Sequence, residues 1–212
     1  MNEEREDNII LRTISFEDYE NVLEFVARVF SENEPTCKAC KVSMEDIIFT
    51  FSPMIKQCCV HRLSSCIFDT TKNEIISICL SMPFLAYNRT KLIYVSSSLR
   101  PVFNILKKLE NDSYEHIDVR NSVYLFMIAT DPYYNNNGLT SLLINNTYKT
   151  AKKYLYNYIV SDLTNIVSQH IFLNKHNFHV IGKAEYNENR YLRRIRDTSK
   201  ALRVIKYISK AT

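Results

Sequence analysis

The chain has 212 residues, of which 46% are hydrophobic and 24% charged, and its formal net charge is +4. This length suits one domain with a sizeable core, and the hydrophobic content excludes wholesale disorder. The mildly basic charge contains no long Lys/Arg block, so a nucleic-acid partner is not expected.

The first residues, MNEEREDNII, are acidic and lack the apolar segment of a signal peptide. No apolar run approaches the roughly 18 residues of a membrane span. We therefore expect a cytosolic protein without a membrane partner, whose six cysteines stay reduced. Cys37 and Cys40 form a C-x-x-C pair, but the adjacent Cys58 and Cys59 make a poor second pair for zinc. No metal site is predicted.

The N-terminal part predicts a strand followed by an amphipathic helix. Residues 8–14 are rich in β-branched side chains, which favours a strand. Ser15 and Asp18 have the spacing of a capping box, and apolar residues then recur at helical spacing to about Ser31. Pro35 is expected to end this element.

A second helix and two strands follow. The helix is expected at 43–57, after an acid-rich first turn, with Pro53 causing a kink or an early stop. The strands are expected at 63–68 and 74–82, joined by a polar turn.

The second part of the chain alternates helices and strands. A helix at 98–110 lies between two strands, and we interpret the region at about 84–120 as a helical insertion over a site. The further expected elements are a strand at 122–130, a helix at 139–154, a strand at 156–160, a helix at 165–176, and strands at 178–186 and 201–208. This order predicts a mixed α/β fold in a single domain over residues 1–212.

One strand–turn–helix segment carries most of the chemical information. The strand at 122–130 is the most apolar in the chain, and the turn DPYYNNNG at 131–138 leads into the next helix. Main-chain N–H groups at a helix N-terminus attract anions, and Asn and Gly tolerate the positive φ angles of an anion-binding turn. The turn therefore predicts a phosphate or diphosphate site, although an ordinary polar turn would explain the same residues.

This segment resembles the acetyl-CoA motif of the GNAT superfamily of N-acetyltransferases, V-x-P-x-Y-(R/Q)-x-x-G-x-(G/A)-x-x-L. The motif's Pro, Tyr, Gly and Leu are matched by Pro132, Tyr134, Gly138 and Leu143. Asn135 replaces the Arg or Gln, and Thr140 replaces the second small residue. The resemblance implies the GNAT fold, a mostly antiparallel central sheet that splays at the acetyl-CoA site and is flanked by helices.

The same resemblance implies that the turn binds the diphosphate of acetyl-CoA mainly through main-chain N–H groups. It also implies a thioester site beside the end of the preceding strand, and an Asn at the start of the last helix that meets CoA. The coenzyme contacts implied are Ile128, Ala129, Thr130, Asn135, Asn136, Asn137, Gly138, Leu139, Thr140 and Asn165.

Residues on both sides of the motif are similar to those of the arylalkylamine N-acetyltransferase branch. Glu34 matches that branch's catalytic Glu, which accepts the proton of the amine; a solvated carboxylate at a helix end is the alternative. Thr164 and Ser168 match a pair of hydroxyl positions that line the amine site. Leu173 stands where many members have the Tyr that protonates the leaving thiolate, so the general acid is unassigned. The stretch from Ser168 to Phe178 is one residue longer than usual.

These similarities imply direct acetyl transfer from acetyl-CoA to a primary amine, but several acceptors remain open. Composition and chain size resemble the apicomplexan type of glucosamine-6-phosphate N-acetyltransferase, and this acceptor, from amino-sugar metabolism, is slightly favoured. An arylalkylamine or a polyamine is the alternative. A sugar phosphate would need cations, and the arginines that would supply them are Arg100, Arg190, Arg193, Arg194 and Arg196.

Two other classes of function are also considered. A non-catalytic acyl-CoA-binding module would retain the turn without turnover. A protein acetyltransferase is disfavoured, because the insertion would crowd a peptide groove. The apolar last strand suits a homodimer.

Overall fold

The computed structural model describes residues 8–90 and 94–208. The acidic residues 1–7, on which the signal-peptide prediction partly rests, lie outside these ranges. The strands are β1 (Ile9–Thr13), β2 (Ser65–Asp69), β3 (Glu74–Pro83), β4 (Ser122–Thr130), β5 (Tyr158–Leu163), β6 (His179–Glu185) and β7 (Lys200–Tyr207). The α-helices are α1 (Tyr19–Asn33), α2 (Pro35–Cys40), α3 (Met44–Val60), α4 (Phe84–Arg89), α5 (Arg100–Ser113), α6 (Leu139–Lys153) and α7 (Ile166–His170).

All the strands belong to one sheet with the order β1-β2-β3-β4-β5-β7-β6. Neighbouring strands are antiparallel except β4 and β5, which are parallel. The mixed α/β class predicted from the sequence is confirmed.

Helices cover both faces of the sheet and divide the core into layers. On one face α1, α3 and α5 bury side chains such as Val26, Ile55 and Leu109. On the other face α6 and the segment after α7 bury Leu143 and Phe172 against the sheet. The strands β4 and β5 meet at the centre of the sheet, between these layers.

The start of the first helix follows the predicted capping box. Ser15 and Asp18 form that box around a 3₁₀ turn, and α1 begins directly after it, at Tyr19. The prediction that Pro35 ends the element is only partly right, because Pro35 also begins α2, which the sequence did not predict. Proline is favoured at the first helical position, where its missing N–H leaves no bond unmade.

The early stop predicted at Pro53 is wrong. α3 continues through this proline to Val60. The residues after the proline that are buried in the core are Met54, Ile55, Cys58 and Cys59. The free energy gained by burying these side chains is larger than the free energy lost with the main-chain hydrogen bond that proline removes.

Two elements near the C-terminus also differ from the prediction. β5 begins at Tyr158 and runs to Leu163, later than the expected 156–160. The expected helix at 165–176 is α7 followed by a π-helix at Ile171–Lys175. A π turn closes with i→i+5 hydrogen bonds and holds one residue more than an α turn. Such a turn is the kind of local structure that the predicted extra residue in this stretch would produce.

The cysteines are part of the core. All six are free and buried, and burial raises the pKa of the Cys79 thiol to about 11. Among the described residues, no group of three or more His, Cys, Asp or Glu side chains is arranged to hold a metal ion. In the same part of the chain, no helix combines the length and apolar character needed to cross a membrane.

Candidate active site

The centre of the sheet opens where β4 and β5 part. The two strands pair only over Ser122–Leu125 and Tyr158–Ser161. Beyond that point β4 continues along β3 alone, and β5 continues along β7. The result is a V-shaped gap between two strands that each remain anchored on the outer side.

Main-chain N–H groups of β4 face this gap. Asp131 N donates to Ile76 O of β3 at 2.9 Å. Successive N–H groups of a strand alternate in direction, so those of Ile128 and Thr130 are directed away from β3 and into the gap. They lie at the half-buried end of β4, in the arrangement that stabilises a developing oxyanion.

The outer end of the gap widens into a cavity of about 560 Å³, which we call the loop cavity. It is lined by the turn before α6, by the end of β4, and by parts of α1, α7 and the loop before β7. The predicted coenzyme residues that line it are Ile128, Ala129, Thr130, Asn135, Asn136, Asn137, Gly138, Leu139, Thr140 and Asn165. Lys175, which the sequence did not single out, also lines it and carries a positive charge.

The turn before α6 presents its main chain to the loop cavity. Asn136 and Gly138 have φ angles of 65° and 74°. No side chain caps α6, and its first main-chain bond runs from Leu142 N to Gly138 O at 3.1 Å. The N–H groups of the first turn are therefore available to an anion. A Cβ atom placed on Gly138 meets nothing within 4 Å, so the turn is open.

Side chains on the outer side hold this turn in place. Tyr134 Oη donates to Asp69 Oδ2 at 2.9 Å, and Arg28 pairs with Asp131 at 2.9 Å. Thr140 lies 3.2 Å from Thr130, hydroxyl to hydroxyl. The side chain of Thr140, which replaces the motif's second small residue, is therefore directed toward β4.

The inner end of the gap leads to a second, smaller cavity of about 110 Å³, which we call the inner cavity. Its apolar walls come from α1, α3, α5 with the residue before it, and β4 and β5, and include Phe30, Phe51, Leu99, Val102, Leu106, Phe126 and Met127. Its polar lining consists of Glu34, Thr36, Tyr124, Ser161, Asp162, Thr164, Asn165 and Ser168. Within the described part of the chain, no Lys or Arg lines it. Val102 and Leu106 place α5 in the wall of this cavity.

Glu34 lies where the two cavities meet, together with Phe30, Ile128 and Asn165. It occupies the residue between α1 and α2, and its Oε2 accepts Cys37 N at 2.8 Å. Thr36 Oγ1 also donates to Oε2. Thr164 Oγ1 donates to Oε1 at 2.8 Å. This carboxylate is therefore fixed by side chains and main chain rather than solvated at a helix end.

The predicted hydroxyl pair lies beside Glu34. Asn165 Oδ1 accepts Ser168 N at 2.9 Å and so caps α7, while Ser168 Oγ donates to Asn165 O at 2.9 Å. Leu173, at the position of the motif's Tyr, packs against the core and is absent from the linings of both cavities among the described residues.

A buried ion pair forms the floor of the inner cavity and was missed from the sequence. Arg203 donates to both Asp162 oxygens at 2.7 Å, and Tyr124 Oη donates to Asp162 Oδ2 at 2.8 Å. Arg203 is fully buried. The available signal was an acidic residue, Asp162, inside the otherwise apolar strand YIVSDL, and a basic residue, Arg203, between Leu202 and Val204 in the strand KALRVIKY.

Solved structures with the same architecture cover nearly the whole chain. The C-terminal condensation domain of Ebony, in complex with beta-alanyl-dopamine, has a TM-score of 0.81 at 15% identity, over 94% of this chain and 99% of that one. Arylalkylamine N-acetyltransferase 2 from Aedes aegypti has a TM-score of 0.74 at 17% identity, over 96% of this chain and 100% of that one. An acetyltransferase of the GNAT family from Streptococcus pneumoniae has a TM-score of 0.58 at 16% identity, over 95% and 99%. No family model matches the sequence.

These likenesses show the fold. The chain has the GNAT fold, as the resemblance of its acetyl-CoA motif predicted.

Proposed function

We propose that this protein is an acetyl-CoA-dependent N-acetyltransferase that acts on a small primary amine. The observation that carries the proposal is the position of the Glu34 carboxylate, at the junction of the loop cavity and the inner cavity. The loop cavity offers uncapped N–H groups and Lys175 to a diphosphate. The inner cavity offers an amine a small space with mostly apolar walls and the Glu34 carboxylate.

The reaction follows from this arrangement. An alkylammonium is not a nucleophile, so Glu34 takes its proton, directly or through a water molecule. The neutral nitrogen then attacks the thioester carbonyl carbon, while the strand N–H groups near Ile128 stabilise the oxyanion. The C–N bond forms, the C–S bond breaks, and the nitrogen loses a second proton as CoA leaves as the free thiol. Because both reactants are held in the gap, their proximity and orientation raise the rate of the reaction.

The inner cavity favours an arylalkylamine over glucosamine 6-phosphate. Its walls are aromatic and aliphatic, and its exposed charge is the Glu34 carboxylate, since Asp162 is neutralised by Arg203. A sugar phosphate would need cations here, and the arginines named for that role, at 100 and 190–196, line neither cavity within the described residues. Two structural neighbours are named for an arylalkylamine or for its N-acyl product. We therefore place the arylalkylamine alternative first.

The test is release of free thiol from acetyl-CoA with tryptamine, dopamine, spermidine, glucosamine 6-phosphate and a histone peptide as acceptors. The protein's own cysteines are buried, so the reagent that detects the thiol gives a low background with native protein. We expect turnover with the aromatic amines and none with the sugar phosphate or the peptide. Binding of acetyl-CoA by calorimetry without turnover on any amine would instead identify a non-catalytic acyl-CoA-binding module.

A further inference from the structure

The Glu34 carboxylate has one open acceptor position, and it lies on a particular oxygen. A carboxylate offers about two acceptor sites on each oxygen. Oε2 uses both, for Thr36 Oγ1 and Cys37 N. Oε1 uses one, for Thr164 Oγ1. The Cys37 thiol also interacts with this carboxylate, from the side of α2. Within the described part of the chain, Thr164 Oγ1 makes the one hydrogen bond to Oε1 for which the structure gives a distance, which leaves its second site for a ligand in the inner cavity.

A second buried contact fixes the group that holds Oε1. Tyr186 Oη donates to Thr164 O at 2.6 Å, just beyond the end of β5. Tyr186 follows β6 and is 1% exposed, and Thr36, in the first turn of α2, is 2% exposed. Burial, followed by the negative charge of Glu34, raises the pKa of Tyr186. Its hydroxyl therefore stays protonated as a donor.

We infer that Thr36 and Tyr186 are positioning residues, which hold the carboxylate so that Oε1 is the atom facing the amine. This inference rests on the proposed function. Thr36 acts on Oε2 from α2, and Tyr186 acts through Thr164 from the far end of the sheet. Neither residue contacts the substrate in this arrangement, because the hydroxyl group of each donates its proton to a hydrogen bond within the protein. The carboxylate is thereby fixed from three separate segments of the chain.

The experiment compares Thr36→Val and Tyr186→Phe, which remove a hydroxyl and keep the shape, with the wild type. We expect kcat for the preferred amine to fall about 10-fold in each, because a small displacement of the base is costly. KM for acetyl-CoA should stay unchanged. Thr36→Ser retains the hydroxyl and should restore kcat. Tyr19→Phe is the matched control, since it removes a phenol contact of 2.6 Å, to Ser52, at the other end of α1.

The decisive readout is the same pair of substitutions in a Glu34→Gln background. Residues that act through Glu34 should have no further effect on kcat there, because effects within one functional unit are not additive. A persistent 10-fold loss in that background, or full kcat in Thr36→Val, would overturn the positioning role while leaving the acetyltransferase proposal intact. Absence of wild-type turnover with every amine would overturn both.

Discussion

The two cavities that meet at Glu34 are built on different principles. The loop cavity presents main-chain N–H groups from one continuous turn, in which Asn136 and Gly138 have positive φ angles. The inner cavity is smaller and presents side chains from α1, α2, α3, α5, β4, β5 and α7. A ligand held by main chain tolerates drift of the side chains around it, whereas a ligand held by side chains does not. We therefore expect the departures from the motif at Asn135 and Thr140 to lower the affinity for the coenzyme only slightly. Substitutions around Glu34 should lower activity strongly.

The largest expected difference between the two sites is in the contribution that the ion pair at each site makes to the free energy of unfolding. Arg203→Leu leaves Asp162 buried without its counter-charge and should lower the free energy of unfolding by about 3–5 kcal/mol. Arg28→Leu removes the pair with Asp131 beside the loop cavity, where Arg28 is 41% exposed, and should cost less than about 1 kcal/mol. Denaturant unfolding measures both.

The double variant Asp162→Leu, Arg203→Leu serves as the control for this comparison, because removing both charges should recover much of the loss. Equal costs for Arg203→Leu and Arg28→Leu would contradict the burial argument.

The next effect is on turnover and isolates the role of Glu34. Glu34→Gln should lower kcat by about 100-fold, the scale of a lost general base. KM for acetyl-CoA should change little, because the contacts proposed for the diphosphate are main-chain N–H groups of the turn before α6 and do not include this carboxylate. Steady-state kinetics with the preferred amine measures both constants.

Glu32→Gln is the matched control, an exposed carboxylate two residues earlier on α1. A normal rate for Glu34→Gln would remove Glu34 from the mechanism.

The smallest effect tests whether main chain or side chain holds the coenzyme. Gly138→Val forces an L-residue to φ +74°, at a cost of about 1–2 kcal/mol. The turn should shift to relieve it and weaken acetyl-CoA binding about 10-fold. Asn135→Ala keeps the main chain and should weaken binding less than about 3-fold.

Calorimetric titration of both variants with acetyl-CoA gives the two affinities. If Asn135→Ala loses as much affinity as Gly138→Val, side chains hold the diphosphate and the contrast between the cavities fails.

More of the loop cavity than of the inner cavity could be predicted from the sequence, and the reason is physical. The strand, the turn and the helix of the loop cavity are consecutive, so local propensity and one motif were enough to predict β4, the turn and α6. The residues of the inner cavity come from positions as distant as Phe51, Leu106 and Ser168. Their proximity depends on packing, which no local pattern contains.

The errors in the predicted elements have related causes. Pro53 does not end α3, because the helical turn that follows it is stabilised by its burial in the core. The π-helix after α7 interrupts the helix expected at 165–176, and Phe172 within it is buried in the core. In each case tertiary contacts outweighed the local preference.

The sequence by itself determined the order of the strands and of the longer helices, the mixed α/β class, the position of the turn before α6 and the resemblance to the GNAT superfamily, because each depends on residues that are neighbours in the chain. Only the tertiary structure decided that β4 and β5 part after Leu125, that Glu34 lies between the two cavities, and that Asp162 meets Arg203. These depend on contacts between residues far apart in the chain, and such contacts exist only once the core has packed.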